Sequence, residues 1–163
     1  MNIMLSGRLV HLIESHWEEI VSRVIREIHH NPQLTHFRTA VEADMRESGR
    51  VLLRDLGRWL GVGDKEEIVQ HYERLGGLRF QDGMPLHEAV RVVALMRERV
   101  LDFVEEHLDA KTTLALYEEE ELDRHVGRFF DLLTVHMVKG YEEAMRRDFR
   151  APAVAAGSHG SRG

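Results

Sequence analysis

The stretch HYERLGGLRFQDGMPLHEAVRVVALMRERVLDFV, residues 71–104, decides the fold. It reads as a helix ending at Phe80, a four-residue turn containing Gly83, and a second helix opened by Pro85. Glycine suits the left-handed position that follows a helix end, since it has no Cβ to clash there. Proline suits the first turn of the next helix, where its fixed φ fits and its missing N–H is not needed. Beyond it Leu86, Val90, Val93, Met96 or Arg97, Val100 and Val104 recur at three- and four-residue steps. That spacing builds one apolar face for burial.

The same periodicity runs outward in both directions. Upstream, Leu5, Leu9, Leu12, Ile13, Trp17, Ile20, Val21, Val24, Ile25 and Ile28 predict one helix from about Leu5 to His29, stopped by Asn31-Pro32. A loop with Leu34 and Phe37 leads to a predicted helix over Thr39 to Leu60, with Val41, Met45, Val51, Leu52, Leu56, Trp59 and Leu60 turned inward. Gly61-Val62-Gly63 ends it. Asp64 then caps the next helix, with Glu67 at capping-box spacing. Gly76-Gly77 inside that helix predicts a bend or a close helix crossing. Downstream, residues 109–113 form a turn, and the longest helix runs from about Thr112 to Arg147. Its inner face is Leu114, Tyr117, Leu122, Val126, Phe129, Phe130, Leu133, Met137, Tyr141 and Met145. Its acidic start, Glu118 to Glu121, and its basic end, Arg146, Arg147 and Arg150, match the helix dipole. From Ala151 the chain is small, apolar-poor and aperiodic, and reads as a disordered tail. The expected fold is all-α: residues 1–150 as one domain of about five helices, in an antiparallel bundle or a globin-like stack.

Composition narrows function. With 163 residues and 43% hydrophobic content the chain suffices for one core. Zero cysteines exclude disulfides, thiolate metal sites and a cysteine nucleophile. A net charge of −6 without a Lys/Arg block argues against nucleic acid as a partner. No long apolar run or signal-peptide pattern is present, so no membrane partner and a cytoplasmic address are expected. Neither a Gly-x-Ser-x-Gly elbow nor a glycine-rich phosphate loop occurs, so no enzyme activity is expected.

Segment 71–104 resembles the N-terminal domain of RsbT co-antagonist proteins of the RsbRD type. The resemblance rests on His71, the Arg79-Phe80-Gln81-x-Gly83 turn, Leu86-x-Glu88 and Leu95-Met96-Arg97. Helices around Trp17 and Trp59 extend it over most of the span from Ile13 to Tyr141. Where the family has a basic position in mid-motif, this chain has Gly76-Gly77. The resemblance implies an all-helical sensor or scaffold domain of bacterial signal transduction and stress response, without catalysis of its own and acting on protein partners. In that family an effector usually follows. Here nothing folded is predicted after Arg150, as in a stand-alone relative or a fragment of a longer protein.

Eleven histidines are the unusual count, and they raise a metal or haem alternative. Glu27-x-x-His30 lacks the second copy that a di-iron bundle needs, and His-Glu-x-x-His is absent. A haem would need an axial histidine facing an apolar slot, and His71, His125 and His136 are the helical candidates. Packed or hydrogen-bonded histidines are the favoured explanation, so no cofactor is expected. A histidine-phosphotransfer bundle using His87 or His125 is the remaining alternative, with His87-Glu88 a weak match to a phospho-acceptor box. The favoured reading is a cofactor-free regulatory module. A ligand or partner enters between the helices expected at 64–80, 85–108 and 112–147 and repacks the Phe80–Pro85 turn. Arg79, Phe80, Gln81 and Gly83 form that turn, with His71 and Glu88 as polar groups near it. The wide apolar stripes of the first and last helices predict a homodimer that reads out the change.

Overall fold

A computed structural model describes residues 3–61, 63–107 and 113–150. The helices are α1 (Ile3–Ser15), α2 (Trp17–His30), α3 (Thr35–Arg38), α4 (Glu42–Leu60), α5 (Lys65–Gln81), α6 (Leu86–His107) and α7 (Thr113–Arg150). Among the described residues there is no strand. Most of the turn expected at 109–113 and the tail expected from Ala151 lie outside the described residues.

One of the five expected helices divides, and one further helix forms in an expected loop. The first breaks at His16, whose φ of −121° and ψ of 22° leave the helical region. The His16 ring Nδ1–H donates to the Leu12 carbonyl at 3.0 Å, and its ring lies 5.3 Å from that of Phe103. A side chain that takes a helix carbonyl and packs on another helix bends the axis there. The bend lets Leu9 and Ile13 of α1 and Ile20, Val24 and Ile28 of α2 all reach the core. The added helix is α3, in the segment read as a loop. Its N-terminal N–H groups are held from afar: Glu88 on α6 accepts from the backbone of His36 at 2.9 Å and of Phe37 at 3.5 Å. Leu34 and Phe37 are buried as a result, whereas Val41, expected inside, precedes α4 and is exposed. On α4 the burial stripe is centred on Leu53, Leu56 and Leu60.

Asp64 caps α5, accepting from the N–H groups of Glu66 and Glu67 at 3.0 and 3.3 Å. The reciprocal half of the capping box is not formed, because the Glu67 carboxylate pairs with Arg58 at 2.8 Å instead. Gly83 has a φ of 74° and closes the α5–α6 turn as expected.

The most extensive helix pair is α5 with α7. Tyr72 meets Phe129, Glu73 meets His136 and Phe80 meets Tyr141, so contacts advance in the same direction along both helices. The two therefore pack in parallel, with α6 as the antiparallel return, which differs from a purely up-and-down arrangement. Glycine makes the close approach possible. A Cβ on Gly76 would overlap the Met137 carbonyl, and one on Gly140 the Glu73 carbonyl. Of the two expectations for Gly76-Gly77, the structure selects the crossing, since α5 is unbroken from Lys65 to Gln81.

Helix α2 runs antiparallel to α6, joined by the Arg23 fork on Glu106 at 2.8 and 3.0 Å. Such an exposed pair sets register more than stability. Helix α4 approaches α2 closely at Gly49, where a Cβ would lie 2.7 Å from Val21 Cγ2. Between these layers Phe103, Val126, Phe129, Phe130 and Leu133 form the deepest core. Tyr117, expected on the inner face of α7, is exposed, while Tyr141 is half-buried. The side chain of Leu114 lies outside the described set.

Candidate functional site

The packing leaves a cavity of about 440 Å³. That lies within the ~300–1,000 Å³ range of small-ligand sites. It is bounded by α2, α3, α4, α5 and α6, and α7 reaches it only through Met137. This departs from the expected site between the fifth, sixth and seventh helices, because the glycine crossing brings the α5 and α7 backbones into contact. The walls are apolar: Val24, Ile25 and Ile28 of α2 face Leu75 of α5 and Val93 and Met96 of α6. The exposed lining residues Val41, Asp44, Glu47, Ser48 and Asp82 form the mouth.

Three polar features touch this space. The first is Arg79, half-buried in the wall. Burial pushes its guanidinium below the usual arginine range, and the charge of Asp82 only partly offsets this. Among the described residues no hydrogen bond or ion pair within 4.0 Å reaches the Arg79 guanidinium, while its backbone carbonyl accepts from Met84 N–H at 3.0 Å. The second is the cluster on Asp55, a carboxylate only 3% exposed. It accepts from Tyr72 Oη at 2.9 Å, with Arg58 Nη1 at 3.6 Å and His71 Nε2 at 3.9 Å. Burial, then the Asp55 charge, raise the Tyr72 phenol far above its ordinary range, so it stays protonated and donates. The third is the turn. Asp82 and Met84 line the cavity, and the Met84 carbonyl accepts from Tyr141 Oη of α7 at 2.8 Å. One short segment thus touches both the cavity and α7.

Of the residues singled out by sequence, His71 and Arg79 stand in the cavity wall. Phe80 packs edge-on against Tyr141, with ring centroids 5.4 Å apart. Gln81 is exposed at the end of α5, and Gly83 shapes the turn. Glu88 is 1% exposed and serves as the pin of α3. The structure does not bring the three alternative haem or metal ligands together. His136 bonds Glu73 through Nδ1 at 3.0 Å on the α5–α7 face, and Lys139 Nζ approaches the same carboxylate at 3.3 Å. His125 lies 3.8 Å from Glu121, leaving His71 alone at the cavity. Among the described residues no three His, Asp or Glu side chains converge as a metal set. His87 is exposed on α6, beside Leu86, Val90, Arg91 and Ala94.

Asp55, Tyr141 and Met84 escaped the sequence reading as site residues. Asp55 had a usable signal, since it falls on the buried stripe between Leu52 and Trp59. An acid on an apolar stripe marks a polar partner inside. The bond from Tyr141 to a backbone carbonyl has no sequence signal.

Comparison with known families finds a match to a family described as the RsbT co-antagonist protein rsbRD N-terminal domain, over residues 17–154. No curated protein and no solved structure matches. No described helix is long and apolar enough to cross a membrane.

Proposed function

The chain belongs to the RsbT co-antagonist protein rsbRD N-terminal domain family, and from that premise we propose that it is a non-enzymatic, cofactor-free sensor. In this reading a small apolar ligand occupies the cavity and repacks the 82–85 turn. The observation that carries the reading is the position of that turn. Met84 lines the cavity, and its own carbonyl holds Tyr141 of α7. A ligand that binds one arrangement of the turn better than another shifts the population between them, and α7 moves with it. The family's role in stress-response signalling supplies the audience, a protein partner or a second copy of the chain that reads α7. Leu78 on α5 and Val135 on α7 are exposed apolar side chains available to such a homodimer.

The test uses decanol, an uncharged probe with an apolar chain, on the full chain. Hydrogen exchange is expected to slow at residues 82–85 and around Tyr141 when decanol binds. Saturable binding with no change in exchange at either place would sink the mechanism.

One observation keeps the haem alternative in view, His71 in the cavity wall. An absorption spectrum after haem addition decides it. A Soret band that disappears in His71→Ala would replace the apolar-ligand reading.

A further inference from the structure

The cavity is apolar on nearly every side, yet one guanidinium stands in its wall without a protein partner. Arginine carries five N–H donors and cannot shed its charge in a protein. Arg79 is half-buried and its nitrogens still reach water, so a ligand that enters the cavity and displaces that water must supply acceptors in its place. Tyr72, by contrast, is engaged where it meets this space, donating to Asp55. The carboxylates at the mouth leave Arg79 free. Glu47 is held by Arg50 at 2.6 and 2.9 Å, and Asp82, whose charge acts on Arg79, stands beyond ion-pair distance of it.

We propose that the cavity binds an apolar monocarboxylate, its carbon chain among Val24, Ile28, Leu75 and Val93 and its carboxylate on the Arg79 fork. A planar oxyanion matches the guanidinium through two parallel N–H···O bonds, a geometry that a point charge cannot reproduce. One arginine suits one carboxylate. A phosphate dianion would bring more charge than a single fork beside Asp82 can balance. This inference rests on the ligand-sensor reading and adds the chemical class of the ligand and the residue that selects it. Arg79 begins the last turn before Asp82 and Gly83, so an acid seated on it pulls on the same segment that Tyr141 holds.

The test compares decanoate with decanol on the full chain by calorimetric titration, both below their aggregation limits. The wild type should bind both, and Arg79→Met should lower the ratio of decanoate to decanol affinity about tenfold or more, as loss of a charge-assisted hydrogen bond does. Arg79→Lys should fall between, keeping the charge without the fork. Decanol binding by the variant shows that its cavity is intact. Wild-type selectivity for decanoate over decanol needs no variant, and a wild type that prefers decanol overturns the proposal. An unchanged affinity ratio in Arg79→Met overturns it also. If the wild type binds neither probe, the ligand-sensor reading falls and takes this inference with it.

Discussion

Asp55 and Glu88 are carboxylates enclosed by an apolar interior, and each survives because specific donors meet it. A buried ionised group without partners would be neutralised or expelled. For Glu88 the donors are two backbone N–H groups at the start of α3, so Glu88→Ala should release that short helix and cost about 2 kcal/mol. Glu88→Gln keeps an acceptor oxygen and should cost less. Urea midpoints of the two variants measure the order. Tyr72→Phe should cost about 1–3 kcal/mol by the same readout, since it removes the phenolic donor at 2.9 Å from Asp55. Glu73 offers a pH test. Hydrogen bonding from His136 holds its carboxyl below the ordinary value of 4.5. A depressed folded pKa adds stability above the unfolded value, and that stability disappears as pH falls through the folded one. Glu73→Gln should therefore be less stable than the wild type at neutral pH. The difference should close on acidification below 4.5, as thermal melts across that range would record.

Adjacent glycines on α5 have opposite roles, and this is a property of the helix pair. A Cβ at Gly76 runs into the rigid backbone of α7, whereas at Gly77 the nearest atoms are 3.8 and 3.9 Å away. Gly76→Ala should force the helices apart and cost about 3 kcal/mol. Gly77→Ala meets only ordinary contacts and should stabilise by up to ~1 kcal/mol, the helix-propensity gain over glycine. Equilibrium unfolding of the two variants gives a sign difference between neighbours one residue apart. Equal losses would mean that the close crossing is absent. The α5–α6 turn depends on glycine for a different reason: the φ of 74° at Gly83 disfavours any residue with a Cβ.

At the scale of the whole molecule the turn links the cavity to α7 through the hydrogen bond from Tyr141 to the Met84 carbonyl. Tyr141→Phe removes the donor to the Met84 carbonyl while leaving every cavity wall in place. Decanol should bind this variant about as tightly as the wild type, but hydrogen exchange around residue 141 should no longer respond. Retained coupling in Tyr141→Phe would mean that the message travels through the packed core. The most direct core route is Met137, among the described residues the one α7 side chain that lines the cavity.

The sequence by itself determined that the fold is all-α, where α5, α6 and α7 lie, and most of the inward faces of α6 and α7. Apolar residues at three- and four-residue steps, with Pro85, Gly83 and Asp64 as punctuation, are local signals, and helices answer to local signals. The motif residues around 71–104 also carried the family, because the turn they encode is a contiguous piece of chain. Periodicity records that a face is buried, but not what it is buried against. That is why only the tertiary structure separated Gly76 from Gly77 and broke the first helix at His16, where the ring packs on Phe103. It alone made a helix of Thr35–Arg38, whose cap is 52 residues away at Glu88. The same holds for the candidate site. Arg79 was legible as part of a turn. That it stands in the wall of an apolar cavity with no partner is set by five helices meeting around it, and no stretch of sequence contains that meeting.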